Sequence, residues 1–245
     1  MKITICLVTC NGVGHIARQL TSIISQTYLP NEIIVVDDNS DDGTIEVVMK
    51  ILTSSKIPHL IVENDSRLGI NKTFEKCLSL AKSDFIFISD QDDFWFPSRL
   101  DNIVKYISKN PSSELILVNA IIERNGSVTK EKVSDYYPYT TSVINNFIKN
   151  RFTGCQMIIK KSLLFELFPF PKDVVCFYDH WISMFSLLNN TTHFILEPQG
   201  LYCRHYSTVT DLNVKRRFFR IIKSRSILFA LLICHLIKKK FIFYL

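Results

Sequence analysis

Through the first half of the chain, short runs that are apolar throughout alternate with longer stretches whose apolar residues recur at helical spacing. Ile3–Thr9, Glu32–Val36, His59–Glu63 and Asp84–Ser89 are short, continuous and rich in β-branched or aromatic residues, and they read as strands buried on both faces. Between them, Gly14–Gln26, Gly43–Leu52 and Gly69–Ala81 follow the helical period. Pro97, whose fixed φ suits a first turn, opens a fourth helix through Lys109. This alternation predicts an α/β fold with a mostly parallel sheet flanked by helices.

After the next apolar run, Leu115–Ala120, the rhythm changes. Asn125-Gly126 is a two-residue hairpin signal that returns Ile121–Arg124 through Ser127-Val128. Phe152–Lys160 reads as a strand, Asp179–Leu188 as a helix, and Thr192–Leu196 and Leu201–His205 as two short strands. No internal repeat is evident. The expectation is one α/β domain over residues 1–211 whose second half, 111–211, closes over a site at the strand ends of the first, 1–110, followed by a separate tail, 212–245.

Composition narrows the class. Apolar residues make up 47% of the 245 positions, which excludes general disorder, and seven glycines with eight prolines exclude a collagenous or linker-rich chain. Seven cysteines without C-x-x-C spacing argue against a disulfide scaffold or zinc module and read as reduced, mostly buried thiols. The net charge of +6 hides an asymmetry. From Arg204 onward there are ten Lys/Arg and one acid, Asp211, which leaves 19 basic and 22 acidic residues in the body. Lys215-Arg216-Arg217-Phe218-Phe219-Arg220, Lys223-Ser224-Arg225 and Lys238-Lys239-Lys240-Phe241 alternate charge with apolar residues. A basic amphipathic tail of this kind points to a membrane surface, the alternatives being a helix packed on the body and a subunit interface burying Ile227–Leu232, and no nucleic acid is expected as partner. Ile227–Ile237 is interrupted by His235 and is too short to span a bilayer. With no h-region ahead of the first strand, a cytoplasmic protein, peripheral on the inner face of the membrane, is expected.

Ligands of open parallel sheets bind at the carboxyl ends of the strands. There the chain places Thr9 and Asn11, then Asp37, Asp38, Asn39 and Ser40, then Asp90, Asp92 and Asp93. Five neighbouring carboxylates repel one another unless a cation or hydrogen-bond donors sit among them. Asp-x-Asp on a turn suits a hard divalent ion that also takes phosphate oxygens and water. Asp37-Asp38, lacking an adjacent Lys or Arg, suits a base or ribose better than a phosphate. Runs of Asp, Asn and Ser also form turns, and Asp41 or Asp42 is expected to cap the following helix.

Several stretches together resemble the nucleotide-sugar glycosyltransferases of family 2, which have the Rossmann-like GT-A fold. They are Leu7-Val8-Thr9-Cys10-Asn11-Gly12, Val35-Val36-Asp37-Asp38-Asn39-Ser40-Asp41-Asp42-Gly43-Thr44 and Ile88-Ser89-Asp90-Gln91-Asp92-Asp93-Phe94-Trp95, then Phe152-Thr153-Gly154-Cys155-Gln156 and Tyr178-Asp179-His180-Trp181. The Asp-Gln-Asp-Asp-Phe-Trp variant is similar to the subgroup, including rhamnosyl and hexosyl transferases, that builds bacterial surface polysaccharides. The resemblance implies roles. Thr9, Asn11 and Asp38 would hold the donor nucleotide, with Asp38 facing the base, and Asp90 would lie near the ribose and donor sugar. Asp92, with His205, would bind Mg²⁺ or Mn²⁺ at the diphosphate. Asp179 would be the general base, and His180 and Trp181 would meet the acceptor. An inverting transfer needs one such base, facing the leaving diphosphate. The implied partners are a nucleoside-diphosphate sugar and a saccharide or lipid-linked saccharide of O-antigen or capsule synthesis. Cys10 departs from the aromatic residue common in the family, and Tyr206-Ser207-Thr208 after His205 replaces small and amide residues frequent there. Arg67 and Lys72 read as solvated surface. The rival readings are a sugar-phosphate nucleotidyltransferase, disfavoured because Cys10–His15 contains no Lys, and a non-catalytic scaffold of the same fold.

Overall fold

The early apolar runs form β1 (Ile3–Thr9), β2 (Glu32–Asp37), β3 (His59–Glu63) and β4 (Phe85–Ser89), paired in parallel in the order β3-β2-β1-β4. The computed structural model describes residues 1–164, 166–172, 176–205 and 218–242. Alternate strand side chains fill two cores. Ile3, Ile5, Leu7, Ile33 and Val35 meet α1 (Ile16–Ile24), α2 (Thr44–Ser54) and α4 (Arg99–Lys109). Cys6, Ile34, Val36, Ile86 and Ile88 meet α3 (Ile70–Leu80) and α8 (Tyr178–Leu188). The nine aliphatic side chains among these are fully buried, each contributing roughly 1.5–3 kcal/mol. That total far exceeds any rim hydrogen bond, so the core carries the self-repelling acidic turns.

Beyond β4 the same sheet extends, to nine strands among the described residues, with β5 (Phe94–Trp95), β6 (Leu115–Arg124), β7 (Ser127–Lys132), β8 (Met157–Lys160) and β9 (Thr192–Arg204). β8 runs antiparallel between β4 and β6, β9 runs parallel to β6, and β5 runs antiparallel to β9. The sheet is therefore parallel across its first four strands and mixed beyond them. β8 is reversed because the chain enters it from the site rim, through the 3₁₀ turn Gly154–Gln156. That turn takes the first part of the expected strand Phe152–Lys160. The hairpin is as expected: Asn125 and Gly126 have φ of 46° and 82°, the pair of positive values a tight two-residue turn requires. The two short strands expected after Asn190 are one, β9. Its register with β6 shifts where Pro198, which has no N–H to donate, lies opposite Asn119.

Three short helices went unread, α5 (Val133–Tyr136), α6 (Val143–Ile148) and α7 (Lys161–Leu164). At four to six residues they are too brief to show a period. The tail forms α9 (Phe218–Ile242), which buries Leu228 and Leu232 in the same core as α8. Asp211, Lys215-Arg216-Arg217, Tyr206-Ser207-Thr208 and the proposed boundary at 211/212 lie outside the described residues. Among the described residues no helix is long and apolar enough to cross a membrane.

Candidate active site

Parallel pairing brings the ends of β1, β2 and β4 to one rim: Thr9 lies opposite Asp37, and Leu7 opposite Ser89. The rim is held by side chains crossing between loops. The amide of Gln91 joins the acidic turn to β1: its Oε1 accepts from Thr9 Oγ1 (2.6 Å) and Cys10 N (2.9 Å), and its Nε2 donates to the Cys10 carbonyl (3.2 Å). Gly12 gives this amide room, since a Cβ there would fall 2.2 Å from Gln91 Oε1. Asn11, at φ 47°, donates its backbone N–H to Ser40 Oγ and accepts from the Asp41 amide. Asp37 accepts from the Ser40 amide and hydroxyl, and Asp42 accepts from the amides of Val13 and Thr44 at the start of α2.

Asp38 is 7% exposed and faces the β3–α3 loop. Its Oδ1 accepts from Asn64 Nδ2 (2.9 Å) and Leu68 N (2.8 Å), and its Oδ2 from Gly69 N (3.0 Å). Burial acts to raise its pKa, but the donors from Leu68, Asn64, Thr73 and Gly69 outweigh it and hold the carboxyl below its ordinary value. Both oxygens of Asp38, which was expected to face a base, are engaged in ordering residues 64–69.

The acidic turn after β4 gathers charge. Burial first, then the carboxylates of Asp92 and Asp93, push Asp90 well above its ordinary pKa, and Asp179 adds to the effect from α8. Asp93 is pushed up to about 7 by burial and by Asp92. Its Oδ1 accepts from Cys203 N (3.1 Å), while its Oδ2 is buried without a hydrogen-bond partner among the described residues. Beneath the turn, the buried guanidinium of Arg99 lies 4.3 Å over the Trp95 ring and donates to Gln156 Oε1 and the Cys155 carbonyl. Burial lowers its pKa to about 10, so it remains a cation at neutral pH.

At the end of β9, His205 Nε2 lies 2.8 Å from Asp92 Oδ2. Its ring stacks on His15, centroids 4.1 Å apart and planes 20° from parallel. Asp179, partly exposed, sits in the first turn of α8, where its Oδ1 accepts from the His180 amide (2.6 Å). The start of α8 is fixed by Asn71, buried on α3: Asn71 Oδ1 accepts from Tyr178 N (2.7 Å), and its Nδ2 donates to the carbonyls of Pro171 and Cys176 (2.8 Å each). Tyr178 also closes over Gly154, where a Cβ would fall 2.0 Å from its hydroxyl.

A divalent ion suits this donor set. Carboxylates crowded as Asp90, Asp92 and Asp93 are gain from a cation, and Asp92 with His205 offers one oxygen and one nitrogen donor. Among the described residues no group of three or more His, Cys, Asp or Glu is arranged to hold an ion. The pair therefore fits an ion whose other ligands are diphosphate oxygens and water, the coordination Mg²⁺ favours.

Residues 4–167, two-thirds of the sequence, match the family model described as glycosyl transferase family 2. The chain belongs to that family. The match spans β1 to β8 and includes the acidic turn; it ends before Asp179 and His205. Among curated proteins, this family 2 chain is 25% identical to the dTDP-rhamnosyl transferase RfbG of Shigella flexneri, covering 85% of this chain and 74% of that one. It is 27% identical to the Escherichia coli UDP-Glc:alpha-D-GlcNAc-diphosphoundecaprenol beta-1,3-glucosyltransferase WfgD, covering 74% and 69%. Its fold matches residues 1–349 of S. aureus TarS in complex with UDP-GlcNAc, with a TM-score of 0.71 and 20% identity, covering 93% of this chain and 66% of that TarS fragment. It also matches a Pyrobaculum calidifontis mannosyltransferase in complex with GDP-Man and Mn²⁺, with a TM-score of 0.62 and 23% identity, covering 83% and 56%. The chain spans less than two-thirds of the length of these solved structures.

Within this family 2 domain, Asp90, Asp92, His205 and Asp179 come together, and Thr9 is tied to them through Gln91. His180 and Trp181 do not join them, which corrects their expected contact with an acceptor. His180 is 2% exposed and donates from Nε2 to the Asn146 carbonyl (2.8 Å). Trp181 is 5% exposed, donates to the Leu167 carbonyl and packs on Phe185. Both lie on the apolar face of α8, so they support the helix that carries Asp179. Three residues escaped the sequence reading: Gln91, His15 and Asn71. A buried Asn on the apolar face of a helix was the one legible signal, because it demands partners.

Proposed function

We propose that this chain transfers a hexosyl or deoxyhexosyl unit from a UDP- or dTDP-linked donor to a saccharide hydroxyl, inverting the anomeric carbon. The acceptor is a lipid-linked intermediate of O-antigen or capsule synthesis, met at the inner face of the cytoplasmic membrane. The observation that supports this best is the convergence of the Asp92–His205 pair and Asp179 on Asp90. The donors named for the two curated relatives, dTDP-rhamnose and UDP-Glc types, supply the nucleotide class.

In this reading residues 1–110 form the nucleotide half and 111–211 the acceptor half. The β1 loop with Thr9 and Asn11, and the 64–69 loop ordered by Asp38, flank the nucleotide, and Asp90 faces the ribose and donor sugar. Asp92 and His205 hold Mg²⁺ or Mn²⁺, which when bound offsets charge developing on the departing diphosphate. Asp179 takes the proton of the acceptor hydroxyl as its oxygen bonds to the anomeric carbon and the bond from that carbon to the diphosphate breaks. The basic tail holds the protein at the anionic headgroups.

A panel of UDP- and dTDP-sugars, with lipid-linked saccharide acceptors, tests this with and without Mn²⁺. Product linkage is read by NMR and nucleotide binding by calorimetry. Transfer that needs the ion and inverts the anomeric centre is expected. Absence of ion-dependent nucleotide binding would overturn the reading in favour of a scaffold.

A further inference from the structure

The membrane contact proposed above draws on the charge of the tail; a separate observation lies on the body. α6 turns Phe147 towards the core and Asn146 onto α8, yet leaves Ile144 70% and Ile148 61% exposed. Four residues apart on a helix, they share one stripe. α9 lies alongside. It buries Ser224, Leu228 and Leu232, Arg225 Nε donates to the Ile148 carbonyl (3.2 Å), and Phe229 meets Phe147 edge-on at 6.3 Å. At about 100° per residue, Ile222, Phe229 and Ile233 fall within a sector of about 40° on the flank of α9 beside Arg225. They are 47%, 58% and 40% exposed. Five large apolar side chains from two touching helices thus make one outward face, where single scattered ones would need no explanation.

We propose that this α6–α9 face lies flat on an anionic bilayer, its isoleucines and Phe229 below the headgroups and the basic residues of α9 among the phosphates. Charge selects the occupant. The segment from Arg204 carries ten Lys/Arg against one acid, so a second copy would bring like charge to the face, whereas anionic lipid neutralises it. The placement also serves the site. α6 is joined to α8 by Asn146 Nδ2 donating to Ser183 Oγ (2.8 Å) and by His180 Nε2 on the Asn146 carbonyl, and α8 carries Asp179. A surface-docked chain then holds the proposed base on the helix next to the headgroup layer, where the sugar of a lipid-linked acceptor stands.

This inference rests on the membrane reading of the tail, and co-sedimentation of the full chain with vesicles separates the two. Wild type is expected to pellet with phosphatidylglycerol–phosphatidylcholine vesicles and not with phosphatidylcholine alone. Ile144→Ser/Ile148→Ser should lower the partition coefficient about 30-fold, with melting temperature and nucleotide binding unchanged. Lys223→Ala should lower it about 5-fold. If the double isoleucine variant binds as wild type does while Lys223→Ala is weakened, the α6 face is wrong and the tail reading survives. If wild type ignores the anionic vesicles, both fall. A concentration-dependent dimer that the isoleucine variant abolishes overturns the proposal by making the face an interface between copies.

Discussion

Asn71→Leu isolates what positions Asp179. The replacement is close in volume, so no large cavity opens, but it removes the bonds to Tyr178 N and to the Pro171 and Cys176 carbonyls. At about 1 kcal/mol for each of the three hydrogen bonds removed, the loss is about 3 kcal/mol. For a domain of this size that corresponds to a fall of about 9 °C in Tm. The functional effect has a different origin. Tyr178 N is the first amide of α8, and Asp179 follows it, so release of this end moves the proposed base relative to the acidic turn. A displacement of about 1 Å costs on the order of 100-fold in turnover. Urea unfolding gives the stability change, steady-state transfer gives kcat and KM for the donor, and calorimetry gives donor affinity. The expected pattern is reduced stability, kcat down about 100-fold and donor affinity unchanged. A variant that loses the stability but keeps kcat within twofold would refute the positioning argument, and a stability loss under about 1 kcal/mol would refute the hydrogen-bond arithmetic.

Asp179→Asn, nearly isosteric, should abolish transfer while leaving nucleotide binding intact, and Asp92→Ala should abolish both transfer and the dependence of nucleotide binding on Mn²⁺; full turnover in either removes that residue's role. Asp38 titrates below its ordinary value when folded, so its stabilisation is fully present above the unfolded carboxyl pKa of about 4 and is lost as pH falls through the lower folded value. Asp38→Asn should therefore destabilise at pH 7 and progressively less in acid, and a pH-independent difference in urea midpoint would contradict this. Gly154→Ala forces a Cβ into the buried Tyr178 hydroxyl and should cost about 1–3 kcal/mol by thermal melting, whereas Gly126→Ala, in the open at φ 82°, should cost only its backbone strain, of order 1 kcal/mol.

The acidic strand ends were legible because acidic turns after apolar strands have few structural reasons to recur at neighbouring ends of one sheet. Asp90 and Asp92 could be named because they follow a strongly patterned strand, whereas Asp179 was named through the resemblance. His205 needed the resemblance, since one histidine at a strand end carries no periodic signal. The direction in which Asp38 points was not legible at all: three donors from residues 64–69 decide it, and these lie 26 to 31 positions away. His180 and Trp181 were misplaced for a related reason. Their neighbour Asp179 is partly exposed, but one residue along a helix turns a side chain by about 100° and two by about 200°, and here both positions lie in the core.

By itself the sequence determined the strand–helix alternation, the parallel first half, the hairpin at Asn125-Gly126 and the acidic rim. Each is written in local periodicity or in the backbone freedom of one or two residues. Tertiary structure alone decided that β8 enters the sheet reversed, that Gln91 fastens the acidic turn to β1, that Asn71 sets the start of α8, and that His15 lies on His205. These contacts join residues from 71 to 190 positions apart, where spacing along the chain holds no geometric information until the core has folded.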